Sequence, residues 1–178
     1  KEIKVKLGVV SGIKTKSGSF SSDYVISNMD VFHTYKKLLP NEIPPINRLK
    51  QERSSSAVIF YWGIKQSFPD LDLHNIFFSK NYKKEFQAIF KDRTVSEDPT
   101  IYINITSKEV VGDAPKGCEN WFIMINTPAD HGQDWTQIVN RLRSHIITNI
   151  SKRLNVDLKN LIVCEQVLTC LLYTSPSP

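Results

Sequence analysis

Three cysteines occur in 178 residues, Cys118, Cys164 and Cys170. They form no CxxC pair and have no histidine at metal-ligand spacing. So sparse and odd a count excludes a disulfide-stapled scaffold and a zinc module, and it fits a reducing compartment. The seven glycines are scattered. No GxGxxG or phosphate-binding loop is present, so these residues contain no dinucleotide cradle of the familiar kind. Ser54, Ser55 and Ser56 lack the flanking glycines of a hydrolase nucleophile elbow. The longest uncharged apolar run, Ala57 to Ile64, has eight residues, against about 20 for a membrane-crossing helix. Residues 1–6 are charged, so no signal peptide is read, and a chain that does not open on Met need not carry its original start.

Charge is present in both signs, with 23 Lys and Arg against 18 Asp and Glu. Most of the +5 excess sits in the first 20 residues, on Lys1, Lys4, Lys6, Lys14 and Lys16. No aromatic precedes Phe20, whereas a nucleic-acid surface interleaves basic and aromatic groups along a face. The segment therefore reads as a solvated strand edge, and no nucleic-acid partner is expected. The four histidines lie far apart. His145 reads as a surface residue, His33 and His74 as structural, and only His131 occupies a loop that could rim a site. Asp70 and Asp72 beside Pro69 are turn chemistry.

The periodicity describes an α+β chain. Val9, Val10 and Ile13 predict a strand, 14–18 a turn using Gly18, and 24–27 a returning strand that ends in small polar residues. A short helix over 31–39 stops at Pro40. Residues 54–64 read as a strand apolar on both faces, and 73–78 as another. Residues 81–91 suggest a helix with Tyr82, Phe86, Ile89 and Phe90 on one stripe. In 100–106 the residues Ile101, Ile103 and Ile105 share a face. In 120–126 Trp121, Ile123 and Ile125 oppose Phe122 and Met124. Residues 134–154 are the strongest helix, capped by Asp134, with Ile146 and Ile150 inward and Arg143 and Lys152 toward water. Residues 161–168 are a last strand. Strands joined mostly by loops indicate an antiparallel or mixed sheet. Its aromatics, Phe60, Tyr61 and Trp62, then Phe77 and Phe78, then Trp121 and Phe122, read either as packed core or as the lining of a long apolar pocket, with all but Tyr61 as the six candidates for that lining. Neighbours in a strand point to opposite faces, so the six cannot share one cavity. Phe60 and Trp62 are the pair on a common face.

The segments 20–40, 54–65, 73–78, 98–104, 114–122 and 126–128, followed by the 134–154 helix, occur in an order and spacing that resemble the bacterial-type phytoene desaturases. These are FAD-dependent, amine-oxidase-like enzymes of carotenoid synthesis. The resemblance implies an internal portion of a two-domain flavoprotein. Residues 1–40 would be the end of a Rossmann-like FAD domain and 41–168 a substrate-binding domain. Residues 169–178 read as a non-native tail. By the same resemblance Ser27, Asn28, Met29 and Asp30 lie next to the cofactor, and the sheet aromatics line a tunnel for a long isoprenoid. The implied reaction is desaturation of a precursor such as phytoene, at the cytoplasmic surface of a membrane. FAD would be held in the full-length parent, and the 178 residues alone are expected neither to retain it nor to be active. Carotenoid isomerases and retinol saturases share the pattern. A non-catalytic module that binds an apolar ligand or a membrane surface is the reading from another class.

Overall fold

A computed structural model of the chain describes residues 1–51, 54–169 and 171, with only the backbone described for Arg48. The chain divides after Glu52 into two compact units. Of the expected tail, Cys170 and residues 172–178 lie outside the described residues.

The first unit opens with an antiparallel meander of β1 (Glu2–Lys6), β2 (Val9–Thr15) and β3 (Gly18–Ser21). The lysine-bearing β1 is an edge strand, as its charge pattern requires. Thr15 pairs with Gly18 across a two-residue turn, and Gly18 takes a φ of +142°. At Gly12 a β-carbon would lie 2.0 Å from the Phe20 carbonyl oxygen, so only glycine lets β2 and β3 approach there.

Here the structure corrects the sequence reading. The return strand begins at Gly18, immediately after the turn, and pairs Phe20 with Ile13. Residues 24–27 form no strand. With the hairpin already closed they have no sheet partner, and Tyr24 and Ile26 are exposed. The short helix is present as α1 (Val31–His33), continuing as a π-helical turn over Thr34–Leu38. Helix α2 (Ile46–Leu49) follows the two prolines.

The second unit carries a five-stranded sheet in the order β5 (His74–Phe77), β6 (Ile101–Asn104), β7 (Glu119–Thr127), β4 (Ser56–Ile64), β8 (Ile162–Leu168). Every pairing is antiparallel. Among the described residues the α-helices α3 (Tyr82–Phe90), α4 (Trp135–Leu154) and α5 (Leu158–Leu161) accompany it, with a 3-10 turn at Thr106–Lys108. The Asp134 side chain caps α4 by accepting from the Gln137 N–H at 3.1 Å. Asn155 ends the helix in the left-handed conformation.

Period-two alternation decides which sheet face is buried. Val58, Phe60, Trp62 and Ile64 of β4 join Ile101 and Ile103 of β6 and Trp121, Ile123 and Ile125 of β7. Leu142, Ile146 and Ile150 of α4 close over them, all fully buried. At about 25 cal/mol per Å² of apolar area this layer is the main source of the unit's stability.

Three expectations are corrected by this packing. Strand β4 is fully covered on one face only: Tyr61, on the other, is 41% exposed, because α4 packs against the first face alone. Arg143 does not simply face water. It pairs with Glu165 at 2.8 Å and lies 5.9 Å over the Trp62 ring. The aromatic stripe of α3 is not its buried face. Glu85 is buried, accepting from the Thr100 N–H at 2.9 Å and the Thr100 hydroxyl at 2.7 Å. That anchor turns Glu85 and Ile89 inward and Tyr82, Phe86 and Phe90 outward.

Candidate functional site: the uncovered face of the sheet

The face opposite α4 follows from register. Gln166, Tyr61, Phe122, Asn104 and His74 form one row across the five strands. Leu168, Ile59, Met124, Tyr102 and Ile76 form the next. Tyr61 and Phe122 meet edge to face at 5.5 Å, and Tyr102 reaches Phe122 at 6.3 Å. Such tilted contacts add to simple area burial. Toward the start of β7 this face deepens into a cavity of about 690 Å³, lined by Tyr61, Asn104, Asn120, Phe122, Cys164 and Gln166 and walled by Ala114 and Pro115. Gly63 sits in its floor. A β-carbon there would come within 2.5 Å of the Cys164 sulfur, so the absent side chain leaves room for the thiol.

Several polar groups at the cavity and along the same sheet face are paired. Asn120 accepts from the Ser107 N–H at 2.9 Å and donates to the Thr106 hydroxyl at 2.7 Å, and that hydroxyl donates to Asp113. His74 Nδ1 lies 2.8 Å from the Tyr102 hydroxyl, with the two rings stacked, and Asn104 Nδ2 is 3.2 Å from the same nitrogen. Among the described residues no three His, Cys, Asp or Glu side chains gather as a metal site. A cavity of this size with apolar walls and few polar atoms binds a ligand by shape and contact area.

Of the six aromatics singled out in the sequence, Phe60, Trp62 and Trp121 lie in the packed layer beneath α4. Phe77 packs at its margin, with Arg153 5.4 Å from its ring centre. Phe78 is exposed beyond the end of β5. Phe122 lies on the uncovered face beside the cavity, which Trp62 and Trp121 also border although both are buried in the packed layer. The sequence reading counted Tyr61 among the strand aromatics but left it, with Tyr102 and Asn104, out of the tunnel candidates. Their signal was the pairing of Tyr61 with Phe122, which requires a register and not just a strand. The Ser27 to Asp30 segment is exposed and irregular, with a bend at Met29. Ser27 contacts the Thr34 hydroxyl at 2.9 Å, and Asp30 caps α1 through the Phe32 N–H at 2.8 Å. Asn81 and Asp134 likewise each cap a helix, accepting from the Lys84 N–H of α3 and the Gln137 N–H of α4.

Two titratable groups are perturbed away from the cavity. Asp130 is held below the usual carboxylate range by the Trp135 indole N–H at 2.9 Å, then by the Gly132 N–H and the nearby His131 charge. His145 is half-buried rather than on the surface. Burial pushes its pKa below 6.5, Arg141 adds to this, and Asp98 opposes it. Because the folded pKa is the lower one, the unfolded chain takes up this proton first as pH falls below 6.5. Stability associated with His145 is therefore intact above that value and is lost on acidification toward the folded pKa. His145→Gln is expected to reduce the fall in melting temperature between about pH 7 and pH 5; parallel melting curves for the two proteins check this.

No family model matches the chain. A 1-hydroxycarotenoid 3,4-desaturase of Flavobacterium sp. (strain P99-3) is 58% identical over 160 residues, covering 90% of this chain and 33% of that protein. The chain is homologous to the carotenoid desaturases. A phytoene desaturase of Fusarium fujikuroi is 30% identical over 186 residues, covering 91% of this chain and 32% of its own. A 4,4'-diaponeurosporene oxygenase of Staphylococcus aureus (strain bovine RF122 / ET3-1) is 33% identical over 171 residues, covering 94% and 34%. The chain thus spans about a third of the length of the curated relatives it matches. Among the described residues no helix is long and apolar enough to cross a membrane.

Proposed function

We propose that this desaturase homologue is the substrate-sheet portion of an FAD-dependent oxidoreductase that desaturates a carotenoid precursor. The observation that carries the reading is an uncovered sheet face of Tyr61, Phe122, Met124 and Tyr102 in a chain 58% identical to a carotenoid-modifying enzyme. A linear polyene has few polar handles, so its affinity comes from apolar area and shape. This face provides both. FAD would supply the electron acceptor, with its pyrophosphate held outside the 178 residues. The residues here bind the polyene, orient it and exclude water. Of the aromatics considered for the tunnel, we assign Phe122, and we add Tyr61 and Tyr102. Ser27 to Asp30 would lie near the cofactor without holding its phosphates. A substrate dissolved in lipid places the protein at the cytoplasmic surface of a membrane.

The test is to purify the full-length protein, measure flavin per chain and incubate it with phytoene or a hydroxylated carotenoid in liposomes. The expected products carry additional conjugated double bonds and absorb at longer wavelength. Products that have gained oxygen, isomerised products with unchanged hydrogen count, or flavin-free protein would each contradict the assignment.

A further inference from the structure

Along β4 and β7 the open face changes character over three rows. The row of Ile59 and Met124 is apolar, and that of Tyr61 and Phe122 is aromatic. At the row of Gly63 and Asn120 the face drops into the cavity, where Asn104, Thr106 and Asn120 bring polar atoms to the lining. Successive rows are about 7 Å apart. A linear polyene lying along these strands therefore ends among amides.

Most of those polar atoms are engaged. Asn120 and the Thr106 hydroxyl bond to Ser107, to Asp113 and to each other. Asn104 differs. Its Nδ2 donates to the Leu73 carbonyl at 3.2 Å and reaches His74 Nδ1 at 3.2 Å. A backbone carbonyl only accepts, so the amide cannot be turned round. Because Nδ2 is a donor, His74 Nδ1 carries the lone pair, and the Tyr102 hydroxyl donates to it at 2.8 Å. These contacts hold the amide nitrogen toward β5 and leave Oδ1 as the group Asn104 offers the cavity. The residue is half-buried, and among the described residues nothing donates to Oδ1.

We propose that Asn104 is a specificity-determining residue that selects a polyene with a hydroxyl on the end lying in the cavity. The proposal rests on the reading that this face holds the polyene. A hydrocarbon end would displace water from Oδ1 and return no donor, which weakens binding. A hydroxyl end donates to Oδ1 and restores the bond. A site that pairs a substrate hydroxyl rejects the analogue lacking it more sharply than an apolar pocket resolves a methylene. Gln166 flanks Tyr61 on the other side of the same row, but it is exposed and its amide keeps its water with either end group.

The test compares kcat/KM of the full-length protein for three polyenes that differ only in ending on a hydroxyl, its methyl ether or a hydrogen. The hydroxyl form should be favoured roughly tenfold over both others, since the ether keeps the oxygen but has no hydrogen to donate. Asn104→Leu should bring the three within about twofold, chiefly by raising KM for the hydroxyl form. Ratios taken within one preparation are insensitive to any change in folding. Equal kcat/KM in the unaltered protein, an ether that matches the alcohol, or a preference that survives Asn104→Leu or is lost in Gln166→Leu instead would overturn the assignment. Dissociation constants, read from the shift of the polyene's absorption band, separate it from the desaturase reading. Turnover of all three at equal rates would leave that reading intact and overturn the role of Asn104. Tighter binding of the hydroxyl form, lost in Asn104→Leu, in a protein that turns over none of them would support the role and sink that reading.

Discussion

Glu119→Ala is expected to destabilise the second unit by about 3–5 kcal/mol, the range for removing one partner of a buried ion pair. Glu119 is almost fully buried at the start of β7. One carboxylate oxygen accepts from the Phe68 N–H at 2.8 Å and the Ser67 hydroxyl at 3.1 Å, and pairs with the Lys108 ammonium at 2.7 Å. The other accepts from the Trp121 indole N–H at 2.8 Å. Alanine would strand two buried N–H donors and leave the ammonium with the Phe68 carbonyl at 2.6 Å. The cost of unmatched groups outweighs the lost attraction. The double change Glu119→Met/Lys108→Met strands the same two N–H groups but removes the unpaired ammonium and refills the carboxylate's volume, so it should be less damaging than Glu119→Ala alone. Urea unfolding of the three proteins checks both statements. A double variant at least as unstable as the single one would show that the unpaired ammonium is not a major part of the cost.

Trp62→Ala should cost about 3–5 kcal/mol, the range for emptying a large aromatic from a packed core. The ring is 2% exposed, tilted against Phe60 at 5.7 Å between the sheet and α4. In the full-length protein the loss of stability should lower flavin content and turnover together. Trp62→Phe should be far milder, because the buried indole N–H has no acceptor and its removal deletes an unsatisfied donor. Melting temperature and flavin per chain read both variants. Loss of turnover from Trp62→Ala at unchanged stability would move Trp62 from the core to the substrate path.

Much of the second unit was legible because its strands and main helix alternate cleanly. Trp121, Ile123 and Ile125 declared one face by period two, and Trp135, Leu142, Ile146 and Ile150 declared α4 by period 3.6. Three things escaped for physical reasons. The orientation of α3 is set by a long-range contact, Glu85 to Thr100, that outweighs its apolar stripe. The Tyr24 to Ser27 segment has strand-forming residues but no partner once β3 has formed. The site itself depends on which sheet face α4 leaves open. Alternation within a strand cannot tell the covered face from the open one, so Phe60, Trp62 and Trp121 looked as eligible as Phe122.

That distinction between the two faces is the centre of the account, and Phe122→Ala in the full-length protein tests it most directly. Phe122 contacts Tyr61 and Tyr102 on the open face. Losing about 60 Å² of polyene contact there, at about 25 cal/mol per Å², should lower kcat/KM for the polyene roughly tenfold. Flavin content should be unchanged, and stability should fall by about 1–2 kcal/mol, less than for the buried aromatics, because the half-buried ring loses its two aromatic contacts. The account predicts that combination of weakened turnover in an intact, flavin-loaded protein. Full turnover by Phe122→Ala, with the stability change as small as stated, would contradict it and return the substrate path to another face.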